Sequence, residues 1–299
     1  MPELPDIVTY LHALQERIVG KTLLKIQVRS PFLVRTVEPD LMSLAGQQVR
    51  DVSRIGKRIV WHFDEELFLV FHLMIAGRFH LKKAGTIPKG KNDLAAFGFE
   101  DFTLMLTEAS QKKRASLHVL QGREALEHQN RGGIEPLETS MREFKRALTC
   151  ENHTLKRALT DPRLFSGIGN AYSDEILHSA QLSPVTLTSR LNDEQIERLF
   201  VATQSTLQTW TDRLLTEAKI KFPEKVTAFR PEMAVHGRFG QPCPVCGTAV
   251  QRIVRAENET NYCPRCQTGG KLLADRSLSR LLKDDWPKTI EEWESGKDG

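Results

Sequence analysis

The first residues in this 299-residue chain whose types could do chemistry stand at its start, Met1-Pro2-Glu3-Leu4-Pro5-Asp6. Removal of an initiator methionine is ordinary when the next residue is small, and here it would expose Pro2 as a secondary amine. An α-amino group titrates near pH 8 (about 7.7–8.0), so much of it is neutral and nucleophilic in a cell. Such an amine attacks a carbonyl-like carbon to give a cationic iminium, an electron sink that favours elimination at the neighbouring carbon. The Glu3 carboxyl beside it could shuttle the protons. Taken alone the segment reads as an ordinary start, because proline makes up about 5% of residues, so the rest of the chain has to decide.

A second set is Cys243-x2-Cys246-x16-Cys263-x2-Cys266. Pro242, Pro244 and Gly247 surround the first pair and Pro264 lies inside the second, so each pair sits on a tight turn. Two such knuckles at this separation gather four thiolates in a tetrahedron around Zn²⁺. A shell of four sulfurs is closed, so this zinc is structural, with no open position for a water. The fifth cysteine, Cys150, is assigned no role, since a lone cysteine usually acts as a small buried hydrophobe.

A third feature, Ser166-Gly167-Ile168-Gly169-Asn170, resembles half of a dinucleotide fingerprint, but Tyr172 takes the place of the third glycine and no strand precedes it. A nucleotide-binding reading is rejected. The turn opens a helix, Asn170–Ala180, where backbone N–H groups can face a phosphate. A plain packing turn between two helices explains it equally well.

The elements that must position these groups follow from periodicity. Ile7, Leu11, Leu14 and Ile18 recur at helical spacing and Gly20 stops the run. From Thr22 to Gln121 short β-rich runs follow, Leu23–Val28, Ile59–Phe63, Leu67–Leu73, Phe102–Leu106 and Leu117–Leu120, which suggests a sandwich or barrel. Arg131-Gly132-Gly133 and Pro136 mark a linker. Helix returns from residue 141, with Asp193–Ala218 as one long piece, and the cysteines follow in loop and hairpin. The tail 271–299 is polar, with a short helix expected over Ala274–Lys283. The expected architecture is α+β and multidomain, divided as 1–132, 133–225, 226–270 and 271–299.

Composition sets the outer bounds. Hydrophobic residues at 40% and charged residues at 27% describe an ordinary globular chain. No run approaches the roughly 20 apolar residues of a membrane span, and Asp6 and His12 interrupt any signal pattern, so a cytoplasmic protein with no membrane partner is expected. The net charge is +4, and from Arg50 to Lys91 nine Lys/Arg stand against four Asp/Glu. That excess permits a polyanionic partner.

Taken together, these features resemble the formamidopyrimidine-DNA glycosylase / endonuclease VIII family over residues 2–268. The resemblance rests on Pro2-Glu3-Leu4-Pro5, on His72-Leu73-Met74-Ile75-Ala76-Gly77, on Gly167-Ile168-Gly169-Asn170-Ala171-Tyr172-x2-Glu175, and on His236-Gly237-Arg238-x2-Gln241-Pro242-Cys243, in that order. It implies an N-terminal helix with a β-sandwich, a helical domain built on a helix–two-turns–helix, and a C-terminal zinc hairpin. It also implies a bifunctional base-excision enzyme, a DNA glycosylase and AP lyase, that acts as a monomer on damaged DNA with no catalytic cofactor. Pro2 would attack C1′ of the damaged nucleotide, Glu3 would be its acid/base partner, and Lys57 would contact phosphate beside them. His72, Arg114, Lys156 and Asn170 would contact the DNA.

The chain also departs from the family pattern. Asn258 stands where the hairpin arginine is usual, with Arg252 and Arg255 nearby as substitutes; Arg255 is taken as the DNA contact. Ala115 stands where an aromatic wedge is expected, and the wedge methionine is displaced to Met74 or replaced by Ile75. Asp6 replaces the more usual glutamate, and Lys221–Met233 is short. These changes bear on substrate choice and suggest single-stranded or opened DNA. The alternatives are a lesion-binding paralogue that does not excise and, less well, a zinc-ribbon module of transcription machinery, which explains neither the N-terminus nor the helical turn.

Overall fold

The computed structural model describes residues 1–227, 229–255, 258–273 and 287–295. The chain forms two compact units, Met1–Gly132 with Gln208–Thr227, and Gly133–Leu207 with Ala228–Gly299.

The first unit opens with helix α1 (Leu4–Ile18), whose buried face carries Ile7, Tyr10, Leu14 and Ile18 at the expected spacing. Eight strands follow: β1 (Lys25–Val28), β2 (Asp51–Ile55), β3 (Arg58–His62), β4 (Leu67–His72), β5 (Gly77–Lys83), β6 (Asp93–Gly98), β7 (Phe102–Glu108) and β8 (Ser116–Gln121). They form two antiparallel four-stranded sheets, ordered β1-β6-β7-β5 and β2-β3-β4-β8. Alternation sends Trp61 and Phe71 of one sheet inward to meet Phe97 and Phe79 of the other, with ring centroids 5.2–5.3 Å apart for the Trp61–Phe97, Phe71–Phe97 and Phe71–Phe79 pairs. Strand β4 is apolar on both faces for a reason. Its outer residues Phe68 and Val70 pack under Leu126 of the short helix α2 (Arg123–Glu127).

Two turns in this unit set up the site. The β2–β3 hairpin turns on Gly56-Lys57, closed by the pair Ile55 and Arg58, and Gly56 takes the positive φ (57°) that a two-residue hairpin needs at its first central position. The chain then passes from β4 to β5, hence from one sheet to the other, through Leu73-Met74-Ile75-Ala76. The Gly77 N–H closes this turn onto the Leu73 carbonyl at 2.8 Å. Met74 lies in the left-handed region (φ 51°), a conformation that costs a non-glycine residue of order 1 kcal/mol or more.

The second unit contains α3 (Met141–Thr149), α4 (Leu155–Thr160), α5 (Asn170–Ser179) and the first part of α6 (Asp193–Ile220), whose last residues belong to the first unit. Ser140 and Glu143 form a capping box at the start of α3. Phe144 packs on Phe165 and Phe200, with centroids 4.9 and 5.4 Å away. The hairpin β9 (Gln251–Arg255) and β10 (Asn258–Tyr262) leads into α7 (Pro264–Thr268), and α8 (Ile290–Ser295) follows. The helix expected at 274–283 lies outside the described residues. Among the described residues no helix is long and apolar enough to cross a membrane.

A Cβ added at Gly77 would meet the Leu73 carbonyl oxygen at 2.3 Å, whereas one at Gly98 would meet Lys25 at an ordinary 3.5 Å. Gly77→Ala is therefore expected to lower stability by about 1–3 kcal/mol, and Gly98→Ala to be well tolerated. Urea denaturation of both variants checks this, and equal midpoints would refute the contact.

Candidate active site and nucleic-acid interface

Helix α1 positions the N-terminal chemistry. Glu3 is its N-cap, and the pair Glu3/Asp6 forms a reciprocal box: the Glu3 N–H donates to Asp6 Oδ2 at 3.0 Å, and the Glu3 carboxylate accepts the Asp6 N–H. Glu3 is only 2% exposed, and its negative charge lies at the positive end of the helix dipole. The Asp6 that departs from the family pattern thus has a local job, because its short carboxylate closes this box. Pro2 is buried. The pKa of the amino group just before it, on Met1, is lowered. Burial is the main cause, the Arg78 and Lys57 cations add to it, and Glu3 and Asp6 oppose it. Pro2, Glu3 and Lys57 are therefore brought together around the chain terminus. Arg78, missed in the sequence reading, belongs to the same group and also donates Nη1–H to the Gly77 carbonyl at 2.6 Å, under the Met74-Ile75 turn.

His72 ends β4, directly across from Arg58 on β3 and Ser116 on β8. Its pKa is lowered to about 4, mainly by burial and then by Arg58, Lys57, His118 and Arg131. The His118 pKa is lowered by burial and by Arg58 and Arg35, and the Arg58 pKa by burial and by Arg131. Apart from His118, every neighbour that shifts these three groups is an Arg or Lys cation, so the outer face of the β2-β3-β4-β8 sheet is electrostatically suited to an anion. Arg35, Arg58, His118 and Arg131 were missed in the sequence. Alternation on β3, β4 and β8 was the signal that could have found Arg58 and His118.

Arg114 is exposed at the end of the β7–β8 loop. The loop is held by the buried Glu108 carboxylate, which accepts the N–H groups of Arg114 at 2.9 Å and Ala115 at 3.1 Å. One expectation fails here. Ala115 is not at an open wedge position; it is 4% exposed and packed in the sandwich core. The strand that begins at Ser116 alternates, and its register turns 115, 117 and 119 inward. The apolar group presented outward is instead Ile75, 49% exposed, on the β4–β5 turn.

In the second unit the expected contacts have internal partners. The Lys156 ammonium lies 2.5 Å from Asp174 Oδ1 and 2.6 Å from the Asn170 carbonyl. Asn170 Nδ2 donates to the Glu259 carbonyl on β10 at 2.7 Å. The buried Asp174 also accepts from His236 Nδ1 at 2.8 Å and from the Asn261 N–H at 3.1 Å. Next to it, Glu175 accepts the N–H groups of Ala234, Val235 and His236 at 2.7–2.9 Å, while burial raises its pKa. On the hairpin, Arg252 is engaged by Glu259 at 3.1 Å and by the Phe239 ring at 4.3 Å. Arg255 stands directly across from Asn258; its side chain lies outside the described residues.

The four sulfurs of Cys243, Cys246, Cys263 and Cys266 lie within 4.8 Å of one another, with Cys243–Cys266 at 3.9 Å and Cys246–Cys263 at 3.4 Å. A tetrahedral shell with Zn–S bonds of ~2.3 Å has sulfur–sulfur edges of ~3.8 Å, so the set fits one structural zinc. Cys150, expected to be buried, is exposed at the end of α3.

Three family models match the chain: the formamidopyrimidine-DNA glycosylase N-terminal domain over residues 1–117, the H2TH domain of the same enzymes over 133–214, and a zinc finger found in FPG and IleRS over 240–269. Formamidopyrimidine-DNA glycosylase of Heliobacterium modesticaldum is 32% identical over 277 residues, covering 89% of this chain and all of that protein. An uncharacterised formamidopyrimidine-DNA glycosylase-like protein of Mycobacterium tuberculosis is 41% identical over half of this chain and 94% of its own length. The solved complex of Lactococcus lactis Fpg with DNA containing an abasic site is 26% identical, with a TM-score of 0.79 over 89% of this chain and 99% of that one.

The His72 environment gives a pH test. An unfolded histidine titrates near 6.5 and the folded one at about 4. Between these values the unfolded chain binds the extra proton, so stability is lost as pH falls from about 6.5 toward 4. His72→Gln is expected to reduce that loss, read as a smaller drop in urea midpoint between pH 7 and pH 5. A His72 ring that titrates near 6.5 by NMR in the free protein would contradict the burial argument.

Proposed function

The chain belongs to the formamidopyrimidine-DNA glycosylase family, and we propose that it excises oxidised bases from DNA and then nicks the strand at the abasic site. The observation that carries the reading is the chain terminus, where Pro2 is buried beside a Glu3 that is itself locked by Asp6. In this reading the methionine is removed and the Pro2 nitrogen attacks C1′ of the damaged nucleotide. The C1′–base bond breaks, and the base leaves with a proton supplied at the site by Glu3. Pro2 then gives up its N–H proton to Glu3, the C1′–O4′ bond opens as O4′ takes a proton, and the Pro2 nitrogen and C1′ are left joined as an iminium; this acidifies the C2′ hydrogen, whose removal expels the 3′ phosphate and breaks the strand. The zinc takes no part in these steps and folds the hairpin. Binding lesions without excising them is not favoured, because such a protein has no need of a nucleophile with an acid/base partner.

DNA contacts fall into two groups in this reading. Lys57, His72 and Arg114 serve the phosphate backbone from the first unit, with Arg58, His118 and Arg131 adding positive charge. Asn170 and Lys156 serve it from the second, with Lys156 held ready by Asp174, and Arg255 takes the part of the arginine missing at 258. The protein acts as a monomer in the cytoplasm, at the nucleoid. A base must leave the stack before its C1′ can be reached, and Ile75 with Met74 is the wedge that fills the gap.

Two experiments test this. Borohydride is expected to trap the processed protein on an oligonucleotide with an abasic site, through Pro2, and a short N-terminal extension should abolish trapping. If the extended protein traps as well as the processed one, a lysine is the nucleophile and the assignment to Pro2 is wrong. The second concerns opened DNA. Unstacking costs a few kcal/mol in a duplex and little in a single strand, and here neither residue 115 nor residue 258 offers a side chain to offset it. The ratio of single-strand or bubble excision to duplex excision is expected to be high, and Ile75→Ala should cut the duplex rate by about tenfold, roughly 1.4 kcal/mol, while sparing the single-strand rate. Initial rates on matched oligonucleotides at one salt concentration decide it; a clear duplex preference would refute it.

A further inference from the structure

Helix α5 carries Asn170, Asp174 and His178 at i, i+4 and i+8, which places them in one stripe on successive turns. Each of the three reaches the zinc hairpin or its knuckle. Asn170 holds the Glu259 carbonyl, Asp174 holds the Asn261 N–H, and His178 Nε2 lies 3.2 Å from Cys243 Sγ. The first two are bonds to backbone that any hairpin could make. The third is to a sulfur of the metal set, and nothing in the activity described above uses it.

We propose that His178 is a positioning residue that donates its Nε2–H to the metal-bound Cys243 thiolate and so sets how firmly the finger keeps its zinc and its seat on α5. The chemistry leaves one arrangement. A thiolate bound to zinc has lost its proton, so the hydrogen in a bond of this length must come from the imidazole. A neutral imidazole has one N–H and one acceptor nitrogen, which fixes the proton on Nε2. His178 is only 6% exposed, so water does not compete for the sulfur there. Four thiolates on one Zn²⁺ carry a net charge of −2, and an N–H donor takes up part of the excess at Cys243. Partners of this kind orient ligands and tune metal affinity, typically by 10–100-fold. The inference rests on the zinc site alone and does not depend on Pro2, Glu3 or the wedge.

The test uses full-length, zinc-loaded protein. His178→Phe keeps a ring of similar volume and removes the donor; His178→Gln keeps an amide N–H that can reach the sulfur. The rate of zinc transfer to an excess of a chromogenic chelator is expected to rise about tenfold in His178→Phe and to stay near the native rate in His178→Gln. A second readout needs no variant to fold. In native protein with ¹¹³Cd in place of zinc and ¹⁵N-labelled histidine, a scalar coupling between the metal and the His178 Nε2 proton reports the N–H···S bond directly. Absence of that coupling overturns the proposal. So does a coupling accompanied by native zinc release in a folded His178→Phe, since the bond would then tune nothing. Equal acceleration in both variants would assign His178 to packing and overturn it as well.

Discussion

The second unit is organised around one buried carboxylate. Asp174 has lost its water, a cost of several kcal/mol for an ion, and the loss is offset only because three donors converge on it. They come from α4 (Lys156), from the loop before the first cysteine (His236) and from strand β10 (Asn261). Each donor alone would leave the charge under-satisfied; together they form a network in which low polarity strengthens every bond. The consequence is geometric. The helix that opens at the glycine turn, the loop after α6 and the zinc hairpin can occupy one arrangement with respect to Asp174, and the neighbouring Glu175 repeats the device with three successive backbone N–H groups. Zinc closes the hairpin on itself, and these carboxylates fix it to the helix.

The first unit solves a different problem with similar parts. Glu3 and Asp6 are buried carboxylates whose acceptor sites are partly filled by each other's backbone N–H groups, so the acid/base candidate is held in position before any substrate arrives. The outer sheet face does the reverse. It gathers Arg58, His72 and His118, with Arg131 near enough to act on Arg58 and His72, and burial, then the Arg58 and Lys57 cations, holds His72 neutral.

How much of this was legible depended on the range of the interaction. The zinc set was readable because its geometry is written in two short spacings, and α1 because its period is local. Most strands with apolar runs were found; β2 and β5 were not, since Asp51–Ile55 and Gly77–Lys83 mix charges into the alternation, and the small residues Ala95 and Ala96 left β6 without a β-rich signal. The Ala115 error came from treating a motif position as if it fixed a direction. Whether a side chain points out is set by strand register, and only the pairing of β8 with β4 reveals it. Lys156 was read as a DNA contact with no internal partner in view, because Asp174 lies 18 residues on and the link appears only when α4 packs on α5. His178 carried no signal at all, because the sulfur it meets is 65 residues away.

The departures from the family pattern now sort by what they touch. Asp6 closes the capping box with Glu3, and there the change is compensated within a single turn of helix. On the proposed reading Asn258 and Ile75 concern the space left by a displaced base, whereas Ala115 is packed in the sandwich core. An aromatic cannot be restored at 115 without overfilling the sandwich core, so the alanine is a structural commitment of this chain, coupled to the inward register of β8. On the proposed reading the gap-filling part falls to a four-residue turn whose shape depends on a glycine at 77 and a strained Met74. A turn held that tightly presents Ile75 in one place, but it reaches less far than an aromatic would. On the proposed reading, a short gap-filling side chain costs little when the substrate arrives already open, because the unstacking has then been done.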